Sequence, residues 1–149
     1  FHHIHAVGKG GWPATESALQ QRGLNDCPAL DVRQYIYNMA TVMRGADLVI
    51  CRAGASTISE LTALGMPAIM VPSPYVTNNH QEKNARLLEA HGGAEVLLER
   101  EANGAALYRA AADILRSPDK QARMKQGMLS LGIPDATERI YETVMALVK

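Results

Sequence analysis

The order of strand-like and helix-like segments along this chain predicts an α/β fold built on a parallel, doubly wound sheet. Short apolar runs alternate with longer segments that are compatible with helices. The run Leu48-Val49-Ile50 is apolar without interruption, as expected of a strand that helices cover on both sheet faces. It ends in the small-residue turn Cys51-Arg52-Ala53-Gly54-Ala55, and helix-compatible sequence follows. A strand, a tight turn and a helix in this order are typical of Rossmann-like folds.

The segments before this turn are predicted to form two strands and two helices. The first strand covers residues 1–7 and closes in the turn Gly8-Lys9-Gly10-Gly11, after which a short helix covers residues 15–22. The second strand covers residues 32–36. A helix over residues 39–45 follows, with Asn38 as its candidate N-cap.

From residue 47 onward the alternation continues to the end of the chain. Gly65 is the expected C′ residue of the helix after the turn, and Pro72-Ser73-Pro74 forces a loop before the next helix. Met124 and Met128 have helical spacing and are expected in the core. The predicted strands cover residues 47–51, 68–71 and 94–98, and the predicted helices cover residues 56–64, 80–90, 104–115, 119–131 and 135–147.

The composition limits the class of protein. A chain of 149 residues is long enough for about one domain, and residues 1–149 are interpreted as a single domain. The 15 basic and 15 acidic residues cancel, so no overall field favours nucleic acid as a partner. No apolar run approaches the roughly 18 residues of a membrane-spanning helix. The cysteines have no disulfide or metal-ligand spacing, and Cys51 is interpreted as a core thiol.

The helix after the turn has two chemically different faces. Ile58, Leu61 and Thr62 fall roughly on one face, which can pack on the sheet. Ser56 and Glu60 fall on the other, beside the carboxyl end of the preceding strand, where open α/β sheets bind ligands. The Glu60 carboxylate could accept hydrogen bonds from a sugar diol, and the alternative is a solvated surface glutamate.

The turn itself is a candidate phosphate site. A helix start supplies unpaired N–H groups and the positive end of the helix dipole, and small side chains let a phosphate come close. The candidate residues are Gly54, Ala55, Ser56 and Thr57, although Ser56 could also cap its own helix. Arg52 could pair with a phosphate or brace the loop through carbonyl groups, and the sequence does not choose between these roles.

A second polar group lies at the start of the helix over residues 80–90. His80 and Asn84 share a face of that helix, and Gln81 lies beside it. Imidazole and amide groups suit sugar hydroxyls because they donate and accept hydrogen bonds without a counter-charge. The alternatives are a capping role for Asn78, Asn79 and Gln81, in an Asn-x-x-Gln variant of the capping box, and a cap or surface role for His80.

Several short motifs follow one another in an order that points to a known family. They are Tyr35-Ile36-Tyr37-Asn38-Met39, Cys51-Arg52-Ala53-Gly54-Ala55 with Ser59-Glu60, Gly65-Met66-Pro67-Ala68, Val71-Pro72, the segment over residues 79–85 and the segment over residues 133–140. In this order the chain resembles the C-terminal half of the MurG family of UDP-N-acetylglucosamine transferases. The resemblance covers nearly the whole chain.

The resemblance implies roles for individual residues. It implies that Glu60 binds ribose, and that His80, Gln81 and Asn84 contact the donor sugar and the nearby ribose or phosphate. It also places Ile36 and Met39 in a uracil pocket, with the backbone of Ile36 at a strand end, whereas the sequence alone would make both core residues.

The resemblance also implies an activity. The chain resembles the donor-binding half of a two-domain GT-B glycosyltransferase that converts lipid I to lipid II in peptidoglycan synthesis, with inversion and with UDP as leaving group. Such an enzyme is cytoplasmic and peripheral at the inner face of the plasma membrane. The family's Gly-rich loop, acceptor domain and catalytic base have no counterpart here. We therefore expect a truncated part of a longer enzyme, inactive alone, with the lipid-linked acceptor and the membrane contacted by the other part.

No metal or other cofactor is expected. The chain has no Asp-x-Asp metal motif, and GT-B enzymes generally need none. Of His2, His3 and His5, only His3 and His5 have the even spacing that places ligands on one strand face. The alternatives that the sequence leaves open are another UDP-sugar enzyme of the same architecture (an epimerase, a nucleotide-sugar hydrolase or a different glycosyltransferase), a non-catalytic donor-binding subunit, and a module for another nucleotide.

Overall fold

The computed structural model describes residues 1–148, which form two compact units. The first runs from Phe1 to Val42 and the second begins at Met43. Every strand pair in both units is parallel, and helices separate consecutive strands, which confirms the α/β class. The strands form a sheet of two and a sheet of three rather than the single predicted sheet, because no strand pair among the described residues joins the two sheets.

The first unit contains β1 (His3–Ala6), α1 (Gly8–Gln21) and β2 (Leu30–Arg33). His3 lies opposite Leu30 in the parallel register. The glycines predicted as a turn over residues 8–11 instead form the first turn of α1. Trp12 lies just after these glycines and Leu19 two helical turns along, and both line one cavity with Leu30 of β2. These side chains are partly buried, and removing their apolar surface from water favours helix where the glycines alone disfavour it.

The second strand differs from the prediction in position. It ends at Arg33, whereas residues 32–36 were expected, because its four residues pair with the four residues of β1. Ile36 therefore follows the strand rather than ending it. The helix α2 (Met39–Arg44) begins directly after Asn38, and the chain passes into the second unit within it.

The second unit is built on a three-stranded sheet in the order β3 (Val49–Cys51), β4 (Ala68–Met70) and β5 (Ala94–Val96). The other elements are α3 (Ala55–Leu64), a 3-10 turn (Thr77–Asn79), α4 (His80–Ala90), α5 (Gly104–Leu115), α6 (Pro118–Leu129) and α7 (Ala136–Leu147). Gly65 ends α3 with φ +63°, and the amides of Gly65 and Met66 bond back to Thr62 and Leu61, which confirms its predicted C′ role.

The core of this unit surrounds β4. All three of its residues are fully buried, and Met124 and Met128 of α6 are buried as predicted. The edge strand β3 is different, since Ile50 is 44% exposed while Val49 and Cys51 pack on the core. Helices were expected on both faces of β3, but the face that carries Ile50 stays open in the described residues. No helix of the described chain is long and apolar enough to cross a membrane.

Candidate functional site

The carboxyl ends of the three strands in the second unit lie level with one another. Cys51 pairs with Met70, and Met70 pairs with Val96, so each strand ends at the same edge of the sheet. Hydrogen bonds continue one residue further. The amide of Val71 donates to the carbonyl of Cys51 at 2.8 Å, and the amide of Leu97 donates to the carbonyl of Met70 at 2.9 Å. The segments that leave β3, β4 and β5 therefore start side by side at the edge where parallel α/β sheets bind ligands.

The start of α3 presents free amide groups at this edge. Gly54 is the N-cap, with φ −73° and ψ 148°, and no side chain caps the helix. The first intrahelical bond runs from the amide of Ile58 to the carbonyl of Gly54 at 3.0 Å, so the amides of Ala55, Ser56 and Thr57 have no helical acceptor. The alternative role of Ser56 as N-cap is wrong, because the helix begins one residue before it.

Two other helices of this unit, α5 and α6, are capped by side chains, whereas α4 and α7 are not. The side chain of Asn103 accepts from the amide of Ala106 at 3.0 Å at the start of α5. The Ser117 hydroxyl accepts from the amide of Lys120 at 3.3 Å at the start of α6. The start of α3 thus keeps free N–H groups of the kind that side chains cap in α5 and α6. The positive end of the α3 dipole adds to the attraction of these N–H groups for an anion.

The space above Gly54 is open. A Cβ atom built on this residue would meet no other group within 4 Å. Its φ of −73° is also available to any residue. Neither backbone conformation nor protein packing therefore requires glycine here. A ligand that approaches the turn closely from outside would require it, because a side chain would occupy the same space.

The two faces of α3 are arranged as predicted. Leu61 and Thr62 are buried and Ile58 is partly buried, whereas Ser56 and Glu60 are exposed. The Thr62 hydroxyl donates to the carbonyl of Ile58 at 2.9 Å, which satisfies it inside the helix. No hydrogen bond or ion pair joins the Glu60 carboxylate to another described residue, so its oxygens are available to a ligand.

The start of α4 has an irregular backbone. Asn78 and Asn79 have φ of +55° and +50°, a left-handed conformation that asparagine tolerates better than most residues. The side-chain Nδ2 of Asn79 donates to the carboxylate of Glu82 at 2.7 Å, and no side chain caps the helix. The capping box with Asn78 is wrong for Gln81, whose Oε1 instead accepts from the backbone amide of Ser73 at 2.9 Å.

These internal bonds determine what Gln81 and Asn84 offer to a ligand. Since Ser73 provides an N–H group, the oxygen of Gln81 must face it, and the Gln81 amide nitrogen keeps its donors for other partners. The Nδ2 of Asn84 donates to the carbonyl of Ala53 at 3.3 Å, which leaves its Oδ1 as acceptor and ties α4 to the turn before α3. The Nδ1 of His80 lies 3.0 Å from the carbonyl of Thr77, and because that oxygen only accepts, Nδ1 carries a proton.

Arg52 braces the edge of the sheet. Its Nη1 donates to the carbonyl of Val71 at 3.1 Å and also to the carboxylate of Glu99. Hydrogen bonding to Glu99 raises the pKa of Arg52, and the same bond holds the pKa of the Glu99 carboxyl below its usual range. Of the two roles that the sequence left open for Arg52, the geometry displays the bracing of a carbonyl.

Sequence reasoning did not identify Ser73 or Glu99. The rule that ligands bind where strands end was applied only to the strand before the turn, and Glu99 lies three residues beyond β5. Applying the rule to β5 as well would have made Glu99 a candidate, together with its neighbour Glu101. The bond from Ser73 to Gln81 had no signal in the sequence, because it depends on how the loop after β4 folds back.

Cys51 lies at this edge of the sheet, but its thiol is unreactive. Burial raises the pKa of its thiol to about 11, so the thiol remains protonated at neutral pH. Its Sγ lies 3.7 Å from the Sδ of Met70, and it packs against the core as predicted. A protonated, packed thiol is a poor nucleophile, and Cys51 contributes to the strand rather than to chemistry.

Ile36 and Met39 belong to the first unit. Ile36 is buried, with 8% of its surface exposed, and it lies three residues beyond the end of β2 rather than at it. Met39 is 43% exposed at the start of α2, so it is not the core residue that the sequence alone suggested.

Two histidines of the first strand lie side by side. His3 and His5 stack on one face with ring centroids 5.5 Å apart, as their spacing predicts. Burial and the neighbouring His5 and His2 lower the pKa of His3. Among residues 1–148, no group of three or more His, Cys, Asp or Glu side chains gathers as ligands for a metal ion.

Comparisons with known proteins add a family to this geometry. The family model described as the glycosyltransferase family 28 C-terminal domain matches residues 1–140. A relative from Acetivibrio thermocellus, named UDP-N-acetylglucosamine–N-acetylmuramyl-(pentapeptide) pyrophosphoryl-undecaprenol N-acetylglucosamine transferase, is 44% identical over all 149 residues. A relative of the same name from Bacillus cytotoxicus is 46% identical over 146 residues, or 98% of this chain. The chain spans 40% of the length of each of these relatives.

Solved structures show the same fold. The crystal structure of Acinetobacter baumannii MurG superposes with a TM-score of 0.80 at 27% identity, over 96% of this chain and 42% of that one. The calicheamicin glycosyltransferase CalG4 superposes with a TM-score of 0.67 at 20% identity, over 98% of this chain and 35% of that one. The second likeness concerns the fold alone. These neighbours confirm the Rossmann-like fold of a C-terminal GT-B half that the sequence predicted.

Proposed function

Because the chain belongs to the family of glycosyltransferase family 28 C-terminal domains, we propose that it is the donor-binding domain of an inverting N-acetylglucosaminyltransferase. The donor is UDP-N-acetylglucosamine, and the reaction is the conversion of lipid I to lipid II in peptidoglycan synthesis. One observation carries the proposal: the start of α3 keeps three uncapped amides next to Gly54, where a Cβ atom would meet nothing within 4 Å, and all 149 residues match a relative named for this activity.

The diphosphate of the donor binds at the start of α3. The amides of Ala55, Ser56 and Thr57 supply donors without a helical acceptor, and the open space above Gly54 admits a phosphate. As the bond to the sugar breaks, negative charge grows on the UDP oxygen. Fixed amides and the helix dipole stabilise that charge without reorganising, which lowers the barrier.

The two sugars of the donor use the polar side chains of α3 and α4. Glu60, which is exposed one turn beyond the phosphate site, accepts hydrogen bonds from the ribose hydroxyls. The Gln81 amide nitrogen donates to a hydroxyl or N-acetyl oxygen of the hexose, and the Asn84 Oδ1 accepts from a hydroxyl or from the N-acetyl N–H, with His80 beside them. Ile36 and Met39 contact the uracil. Arg52 supports the phosphate site by holding the chain immediately before the turn.

The remainder of the reaction belongs to another part of the enzyme. The catalytic base, the contacts to the lipid-linked acceptor and the contact with the cytoplasmic face of the membrane lie outside this domain. We also propose that the two compact units form one nucleotide-sugar domain, because the family match runs through both. This domain binds and orients the donor and stabilises the leaving group.

A calorimetric titration with UDP and with ADP tests the proposal. We expect the protein to bind UDP more tightly than ADP, because the two nucleotides share the diphosphate and ribose and differ in the base. Titration with UDP-N-acetylglucosamine then tests the sugar contacts. Equal binding of UDP and ADP, or tighter binding of ADP, would refute a uridine site.

A further inference from the structure

We propose that Glu99 is a positioning residue for the diphosphate site, acting through Arg52 to fix the turn that leads into α3. The proposal rests on the function proposed above and adds a residue from the third strand of the sheet. Arg52 is the first residue after β3, Val71 the first after β4, and Glu99 lies in the segment after β5. One guanidinium group therefore joins the chain segments that leave three adjacent strands.

The turn is held at two consecutive residues. The side chain of Arg52 is fixed by Val71 and Glu99, and the carbonyl of Ala53 accepts from Asn84 at 3.3 Å. Ala53 is completely buried. The next residue, Gly54, faces open space, and the free amides of α3 follow it. The bonds thus fix the chain immediately before the donors and leave the donors themselves accessible.

The substitution Glu99→Gln distinguishes this positioning role from direct binding of phosphate by Arg52, because the two roles predict opposite changes in UDP affinity. If Arg52 pairs with the diphosphate, Glu99 competes for it and also repels the anion, so Glu99→Gln tightens UDP binding. If Glu99 positions the turn, Glu99→Gln loosens the turn and weakens binding, although it removes a negative charge near an anionic ligand. The sign of the change in affinity therefore separates the two roles.

The experiment measures UDP affinity in the full-length protein. We expect Glu99→Gln to weaken UDP binding roughly threefold or more, toward the upper range for a partly exposed ion pair. Glu101→Gln is the matched control, since Glu101 lies on the same segment and pairs with its neighbour Arg100 at 3.2 Å instead of with Arg52. In an Arg52→Gln background, Glu99→Gln should cause no further loss, because the two residues act as one unit.

Hydrogen exchange of the ligand-free protein gives a readout that does not depend on the nucleotide. We expect the amide of Ile58, which bonds to the carbonyl of Gly54 at 3.0 Å, to exchange faster in Glu99→Gln than in Glu101→Gln. Unchanged exchange there, or UDP binding that is unaltered or tighter in Glu99→Gln, overturns the positioning role. If the unmodified protein does not bind UDP, the proposed function fails, while the exchange rates still decide whether Glu99 orders the turn.

Discussion

Replacing Gly54 with alanine separates the needs of the protein from the needs of its ligand. Two effects on stability oppose each other. Alanine restricts the unfolded chain, which adds about 0.4–1 kcal/mol where the backbone conformation suits it. Alanine is also a poorer N-cap than glycine, which costs about 0.5–1 kcal/mol. Since the new methyl group would meet nothing within 4 Å, no clash adds to these terms, and the free energy of unfolding should change by less than about 0.5 kcal/mol.

The same substitution should damage nucleotide binding. The methyl group occupies the space that a phosphate needs above the turn, so at least one hydrogen bond to the charged group is lost. Such a bond contributes about 1.5–3 kcal/mol, which corresponds to a dissociation constant for UDP raised about 10- to 150-fold. Calorimetric titration measures the affinity, and urea unfolding measures the stability.

Gly104→Ala is the control for this prediction. Gly104 begins α5 and likewise has open space where a Cβ atom would lie. The same chemical change there should leave UDP binding unaltered. Two results would contradict the reasoning: Gly54→Ala with normal UDP affinity would remove the phosphate from the turn, and a strongly destabilised Gly54→Ala would show that the space above the turn is not open.

Three further predictions test other parts of the molecule. Glu60→Ala should weaken UDP binding by about 1–3 kcal/mol with little change in unfolding temperature, because the Glu60 carboxylate is exposed and has no bond to another described residue. Glu142→Ala, at another exposed glutamate, is the control, and a large loss of stability with normal binding would contradict the prediction. Gln81→Ala in the complete enzyme should lower discrimination between UDP-N-acetylglucosamine and UDP-N-acetylgalactosamine in competition assays, while inhibition by UDP stays nearly unchanged. If Gln81 contacts the nucleotide instead, inhibition by UDP weakens and the sugar preference stays. Gly127→Ala should destabilise the protein by about 1–3 kcal/mol in urea unfolding, because the added Cβ would lie 2.3 Å from the carbonyl oxygen of His91, and a wild-type midpoint would refute that close packing.

The sequence alone predicted those features that depend on neighbours along the chain. The exposed and buried faces of α3 follow from the spacing of Glu60, Leu61 and Thr62, since helical periodicity places residues on faces whatever the helix packs against. Gly65 ended α3 as expected because a left-handed C′ residue is a local requirement. Parallel pairing joins distant strands, and it was predictable because strands connected through a helix have few other ways to pair.

Only the tertiary structure decided the features that join distant segments. The glycines at the start of α1 are helical because Trp12 and Leu19 of the same helix are partly buried and line one cavity with Leu30 of β2, a gain that local propensity does not contain. Arg52 could bond to phosphate or to carbonyl groups, and its partners Val71 and Glu99 lie 19 and 47 residues away. Gln81 presents donors only because a loop eight residues earlier returns the amide of Ser73 to it. A hydrogen bond requires its two groups within about 3 Å of each other, and a sequence states which groups are available but not which of them meet.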